Sequence, residues 1–414
     1  MPPFSGRTLF PAAILLVGLN LRPLLASVGP LLDTIQHDTA LGDTGASLLT
    51  AVPVMLMGLC LLGTGRVQAL LGPHAGILLG MVLIATACLG RLIVPDAPML
   101  IGTAILGGMG IATVQALMPA VIRRHYGARA AGMMGLYSTA IMGGALLASF
   151  ASPRIAPHGG WPVALGLWGG PALLGMGLWQ GARLSQARTQ ASRRAPHQTP
   201  GQTSGQPLQL RRSPRAWTLL FFFGLGTGAY TLVLAWLPPY YTRLGWSSAA
   251  AGTLLSLVTL AEVVAGIAVS FRVNRFHDRR PLLFPAIGAL LAGLLCLTLA
   301  PLGLAWLAAI LVGTGIGALF PLSLIVAMDH GEDPAQAGQI VGFVQGGGYL
   351  LAALLPFGAG IMRAHLSDLA PAWWLMIGLC GVLAILAARL RPGERLFLPR
   401  SDPLPAHGVA NGLL

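Results

Sequence analysis

Long apolar stretches, separated by brief polar breaks, set the pattern of this chain. They recur at 9–32, 44–64, 75–94, 98–121, 131–151, 160–181, 216–238, 247–270, 282–300, 303–326, 336–357 and 370–390. A helix needs about 20 apolar residues to cross the hydrocarbon core of a bilayer, so each run predicts a membrane-spanning helix. Most connections are short. The exception is 182–215, where Arg183, Arg188, Arg193, Arg194, Arg211, Arg212 and Arg215 lie among Gln, Ser, Thr and Pro. That composition cannot bury a core and predicts a flexible, solvated linker.

The linker falls near the chain midpoint and invites a search for duplication. Arg66-Val67 recurs as Arg272-Val273, an offset of 206 residues. Ile105-Leu106-Gly107-Gly108-Met109-Gly110-Ile111 is matched by Ile310-Leu311-Val312-Gly313-Thr314-Gly315-Ile316 at an offset of 205, and Ala131-Gly132 by Ala337-Gly338 at 206. One short apolar match means little, but three at nearly one offset indicate a repeat. The predicted organisation is a six-helix bundle over 1–181, the linker over 182–215, a second six-helix bundle over 216–392 and a tail over 393–414. It resembles the parallel six-helix repeats of major facilitator transporters, whose substrate site lies at mid-membrane between the halves.

Composition supports the spans and adds an orientation. Hydrophobic residues make up 55% of the chain and charged residues 9%, against about 25% charged in soluble domains, and mean hydropathy is +0.74. The net charge of +13 comes from 25 basic residues, all of them Arg. A nucleic-acid binder would gather such charge on one soluble face; here it falls between the apolar runs. With a cytoplasmic N-terminus, the inner segments hold Arg7, Arg66, Arg123, Arg124, Arg129, the linker arginines, Arg272, Arg275, Arg279, Arg280, Arg389, Arg391, Arg395 and Arg400. The outer loops hold only Arg91, Arg154, Arg243 and Arg363. The positive-inside rule then predicts that both termini are cytoplasmic; the expected location is a bacterial inner membrane. The first apolar run continues past Arg22 to Leu32, too long for a signal-peptide core, so an uncleaved first span is expected. Cys60, Cys88, Cys296 and Cys380 sit inside apolar runs without C-x-x-C spacing and read as packing residues, with no metal or other cofactor expected.

Two charges interrupt spans, where a charge costs about 2.5 kcal/mol or more and normally faces a bundle interior or a water-filled path. Arg22 lies mid-span, with Gly18, Ala26 and Gly29 on its helix face and Pro23 directly after it. Those small neighbours predict space beside the guanidinium, and proline softens the helix by removing a backbone bond. A bare guanidinium in such a cleft suits a small planar or linear anion; the alternative is a buried salt bridge or a carbonyl-capped Arg. Glu262 in the eighth span is the candidate for proton coupling, against the alternative that it only balances Arg22 or Arg272. Neutral candidates for substrate contact are Gln115, Tyr137, Tyr230, Gln345 and Tyr349. Gly338, Gly342, Gln345, Gly348, Tyr349 and Ala352 share one helical face, predicting a groove with an amide and a phenol. Asn20 points elsewhere, about 200° around the helix from Arg22 at 100° per residue.

Gly108-x-Gly110 and Gly313-x-Gly315-x-Gly317 lie within apolar runs rather than after a strand, so they predict close helix contacts and not a nucleotide loop. The loop Arg272-Val273-Asn274-Arg275-Phe276-His277-Asp278-Arg279-Arg280 resembles the basic inter-helix signature of the major facilitator superfamily, which makes Arg66, Arg272, Asp278 and Arg279 candidate gating residues. The first-half counterpart, Gly65 to Gly72, carries no acidic residue.

Leu19-Asn20-Leu21-Arg22-Pro23 with Ser27-Val28-Gly29-Pro30-Leu31-Leu32 resembles the first span of the cyanate permease and 2-nitroimidazole transporter family of that superfamily. Gln345-Gly346-Gly347-Gly348-Tyr349-Leu350, Ala352-Ala353 and Pro356 are similar to its eleventh span. The resemblance implies a secondary transporter of a small polar or anionic solute, with Arg22 and Gln345 as contacts. Export of small neutral or aromatic compounds, nitroimidazoles among them, is the competing reading. An intramembrane enzyme is disfavoured by the lack of an H-E-x-x-H pair or a carboxylate pair within the spans. The expected partners are a small-molecule substrate, the lipid bilayer and protons, with no nucleic acid and a monomeric assembly.

Overall fold

The computed structural model describes residues 6–93, 96–191, 210–276, 278–331 and 334–391. Among them every regular element is helical. The first crossing is built from α1 (Gly6–Leu19), α2 (Pro23–Ala26), a 3-10 turn (Gly29–Leu31) and α3 (Leu32–Thr39). Crossings two to four are α4 (Asp43–Leu62), α6 (Pro73–Gly90) and α7 (Ala97–Tyr126), with the short α5 (Thr64–Leu71) between the second and third. Crossings five and six run through α8 (Ala130–Gly166) and α9 (Gly169–Ala191). The second half comprises α10 (Pro214–Arg243), α11 (Ser248–Arg272), α12 (Arg280–Leu299), α13 (Ala305–Asp329), α14 (Pro334–Leu366) and α15 (Ala370–Arg389). Eleven described segments are long and apolar enough to cross a membrane, and one of them, Gly132–Ser185, covers two crossings. Its reversal falls at Gly160, whose φ of 78° sits in the left-handed region that glycine alone adopts without strain.

Helix is the only local solution for these runs, because lipid offers no partner for a backbone amide or carbonyl. The ends follow ordinary capping rules. Asp96, Ser213 and Ser247 accept bonds from the amides of Met99, Ala216 and Ala250, and Pro73, Pro214, Pro281 and Pro371 occupy first turns where no donor is needed. Several helices outrun their apolar cores: α7 continues to Tyr126 with Arg123, Arg124 and His125 in its last turn, where cations offset the negative end of the helix dipole. The predicted linker is partly ordered too. Residues 182–191 extend α9 and Leu210–Arg212 form a 3-10 turn. Residues 192–209 and the tail 393–414 lie outside the described residues.

Glycines let the helices touch, and they do so equivalently in the two halves. An added Cβ on Gly108 would lie 2.7 Å from Pro53 on α4, and one on Gly110 2.5 Å from the Gly80 carbonyl on α6. One repeat later, Gly313 meets the Val258 carbonyl of α11 at 2.3 Å and Gly315 meets Leu290 of α12 at 2.6 Å. The fourth and tenth crossings thus use the same two glycines against the same two neighbours, the structural counterpart of the repeat. α10 is buried along almost its whole length, against α14, α13, α11 and the first crossing. Leu59, Val264, Ile267, Phe271 and Leu354, by contrast, stay exposed on the outer faces, as lipid-facing positions require.

The halves meet along two seams. In one, α4 packs on α14 from Ser47 against Gly360 to Leu62 against Gly346. In the other, α8 packs on α11 at the membrane side opposite the chain ends. There Gly252 approaches the Ser149 carbonyl, the Ser149 and Ser256 hydroxyls are 2.8 Å apart, and Arg154 donates to Thr253 at 2.8 Å.

Candidate substrate site at a broken helix

The first crossing does not run as the continuous helix its sequence predicts. Asn20 to Arg22 form a turn, and helix resumes only at Pro23. A proline at position 23 cannot donate to the Leu19 carbonyl, and its ring clashes with that carbonyl in an unbroken helix. The carbonyl is instead turned against Gly144 of α8, where an added Cβ would sit 1.9 Å from it. The break fixes Arg22 at the N-terminal edge of α2, inside the bundle, with 3% of its surface exposed.

Around the guanidinium stand three phenols from three helices. The Arg22 Cζ lies 5.2 Å from the Tyr230 ring centroid, in range for a cation–π contact. Tyr349 of α14 directs its hydroxyl toward the guanidinium, and Tyr137 of α8 stands within electrostatic reach of both. Glu262, 5% exposed on α11, is also within electrostatic reach of Arg22, but no ion pair at 4.0 Å or less joins them among the described residues. Arg22 Nε and Nη1, the Tyr137 and Tyr230 hydroxyls and Thr227 Oγ1 are buried without a hydrogen-bond partner. Buried polar groups are nearly always paired. Five orphaned atoms from three elements, four of them on Arg22 and the two tyrosines beside it, form a set of hydrogen-bonding groups poised for something other than protein.

The structure therefore brings Arg22, Tyr137, Tyr230, Tyr349 and Glu262 together. Gln115 and Gln345 are half-buried on α7 and α14, and no hydrogen bond joins either to Arg22 among the described residues. The expected space beside Arg22 is corrected in two places. Gly18 is covered by the Tyr137 ring, 2.9 Å from an added Cβ, and Gly29 by the Leu234 carbonyl at 2.8 Å. These glycines admit neighbouring helices instead of leaving a void. The predicted groove on the eleventh crossing is likewise filled at Gly348, which abuts Phe223, but open at Gly338 and Gly342. Asn20 faces away, donating to the Leu16 and Pro171 carbonyls at 2.7 and 3.1 Å.

The inter-helix loop residues stay within their own half. Arg66 and Arg272 are exposed. Asp278 is bonded by Arg280, whose Nη2 reaches it at 2.7 Å, and this neighbouring cation holds the carboxyl below the usual aspartate range. Arg279 pairs with Asp329 at 2.9 Å and also donates to the Val273 and Phe276 carbonyls.

Sequence reasoning missed an ionic clasp on the opposite side. Arg363 of α14 reaches Asp33 of α3 and Asp43 of α4, each at 3.3 Å, and lies 5.3 Å from the Trp236 ring centroid. Thr242 of α10 also donates to Asp33. The only sequence signal is that three of the 12 acidic residues, Asp33, Asp38 and Asp43, fall between the first two spans.

The sequence profile of the Major Facilitator Superfamily matches residues 14–356. The chain is 37% identical to the cyanate transport protein CynX of Escherichia coli K12 over 385 residues, covering 92% of this chain and 96% of that one. It is 29% identical to the 2-nitroimidazole transporter of the same organism over 366 residues, covering 85% and 87% respectively. A crystal structure of a D-xylose–proton symporter superposes with a TM-score of 0.74 at 17% identity, covering 94% of this chain and 99% of that one. With its twelve crossings in two equivalent six-helix halves, the chain belongs to the Major Facilitator Superfamily of membrane transporters.

Proposed function

We propose that the protein carries a small monovalent anion of the cyanate class across the cell membrane by alternating access, with Arg22 as the group that binds it. The observation that supports this is the buried guanidinium with two unpartnered N–H groups and, among the described residues, no carboxylate in ion-pair contact. A small anion would supply the missing charge and acceptors together, and the flanking phenols would complete its hydrogen bonds. The likeness to a cyanate transport protein over nearly the full length agrees with this choice. Counterflow of cyanate into proteoliposomes, compared with small carboxylates and nitroimidazoles, is the test. Saturable exchange of cyanate alone is the expected result, and exchange of nitroimidazole without cyanate would replace the reading. That second reading draws on the aromatic walls Tyr137, Tyr230 and Tyr349, which would stack on a flat heteroaromatic ring.

Chain ends on the cytoplasmic side follow from the arginine distribution, and the Arg363 clasp then closes the extracellular face. Each contact is partly exposed and worth at most about 1 kcal/mol. Replacing both Asp33 and Asp43 by Asn should shift the balance toward an outward-open form by about tenfold, since 1.4 kcal/mol is a decade in an equilibrium constant. Increased thiol labelling at a cysteine introduced at Thr253 would report the shift; unchanged labelling would show that the clasp contributes nothing.

Glu262 is the proposed proton carrier, placed beside the anion site but not locked to it. Glu262→Gln should flatten the pH dependence of net uptake while sparing counterflow, which needs no proton movement. A pH profile identical to the parent would remove the coupling role.

A further inference from the structure

The charge count places Arg91 in an outer loop, but the structure buries it completely, at 0% exposure, directly after α6. Its Nη1 donates to the Leu24 carbonyl at 2.9 Å and its Nε to the Thr103 hydroxyl at 3.1 Å; that hydroxyl in turn donates to the Leu100 carbonyl at 2.7 Å. Nη2 has no partner, and no carboxylate pairs with the guanidinium among the described residues. Burying an uncompensated charge in this way is costly, and a leucine or methionine would fill the volume more cheaply.

What the charge gains is the second gap in the first crossing. In an unbroken helix the Val28 amide would bond the Leu24 carbonyl; here it bonds Leu25 at 3.3 Å. Arg91 takes its place. Leu24 is itself wedged between the third and fourth crossings, since an added Cβ on Gly107 would lie 2.5 Å from its Cδ1 and 3.0 Å from Ala87. The clamped segment is α2, a single turn with Arg22 at its N-terminal edge, in which the Leu25 and Ala26 amides bond back to the Arg22 carbonyl and the Ser27 amide and hydroxyl to the Pro23 carbonyl. A turn that short has little stability of its own.

We propose that Arg91 is a positioning residue: by replacing the lost helix bond at Leu24 it fixes α2 and thereby the direction in which Arg22 presents its guanidinium to the anion. The inference rests on Arg22 being the anion-binding group. Thr103 aims the Arg91 fork, and α2 transmits its position over the two residues from Leu24 to Arg22.

The test pairs Arg91→Met, which keeps volume but removes the donors, with Thr103→Val, which removes only the aiming hydroxyl, and with Arg91→Lys. Cyanate counterflow gives KM and the maximal rate, and hydrogen exchange of the peptide covering 20–31 in lipid nanodiscs reports α2 without any substrate. A lost charge-assisted bond is worth about tenfold or more in an equilibrium constant. Arg91→Met should raise KM by about that factor with a smaller change in maximal rate, and should speed exchange across 20–31. Arg91→Lys should recover part of both effects, and Thr103→Val should give a milder version in a protein of parental thermal stability. If Arg91→Met does not fold, Thr103→Val decides. Unchanged KM and unchanged exchange in the folded variants would overturn the proposal, as would lost stability with a parental KM. An Arg22→Ala control run in parallel separates the failures: anion exchange retained in that control overturns the role of Arg22, whereas its loss beside a parental KM in Thr103→Val overturns the role of Arg91 alone.

Discussion

Arg22→Ala is expected to cut cyanate counterflow by at least about 30-fold, in a protein that still inserts and purifies normally. Among the described residues the guanidinium makes no ion pair that its removal would break, and two of its nitrogens have no partner to lose. Its loss therefore relieves a buried charge and should not destabilise the bundle. For a bound anion the balance reverses, because losing a desolvated counter-charge costs about 2–5 kcal/mol, which is 30-fold to several thousand-fold. Arg22→Lys should restore little, since an ammonium is a point charge without the planar fork that meets two acceptors at once. Normal exchange by the alanine variant would remove the anion from this site.

The second large effect is expected from Gly252→Leu. A bare Cβ at this position would lie 2.3 Å from the Ser149 carbonyl and 2.8 Å from Pro153, and backbone of a packed helix cannot yield by more than a few tenths of an ångström. The leucine side chain must push α8 and α11 apart on the side opposite the chain ends, parting the Ser149–Ser256 and Arg154–Thr253 contacts. Each half remains intact, because the clash lies between halves. Net transport should fall below a tenth of the parent, while a thiol placed at Thr253 should become fully reactive. Parental transport would mean that this seam never carries a close contact during the cycle.

The spans and the repeat were legible because lipid imposes a length rule on apolar runs and duplication leaves offsets in sequence. Arg22 was legible for a related reason: a charge at mid-span has few innocent explanations. Pro23 signalled a weak helix but not the turn it produces, since whether a proline kinks or interrupts depends on what receives the freed carbonyl, here Gly144 of a distant helix. Arg91 was misplaced among loop charges because counting by position cannot see a side chain folding inward to a carbonyl 67 residues earlier. The Arg363–Asp33 contact spans 330 residues, and no local pattern encodes a pairing at that range. Gly18 and Gly29 were misread because a small residue beside a charge looks the same in sequence whether a helix or a cavity faces it.

The α4–α14 packing, continuous from Gly360 to Gly346, has a mechanical consequence. Two bodies held along one full edge cannot separate like jaws hinged at one end. A roll about that spine, as covers turn about the binding of a book, is the expected motion, with the α8–α11 seam parting over the larger arc. Cargo should therefore enter and leave along the α8–α11 margin, and a crosslink fastening α4 to α14 should slow the carrier far less than one fastening α8 to α11.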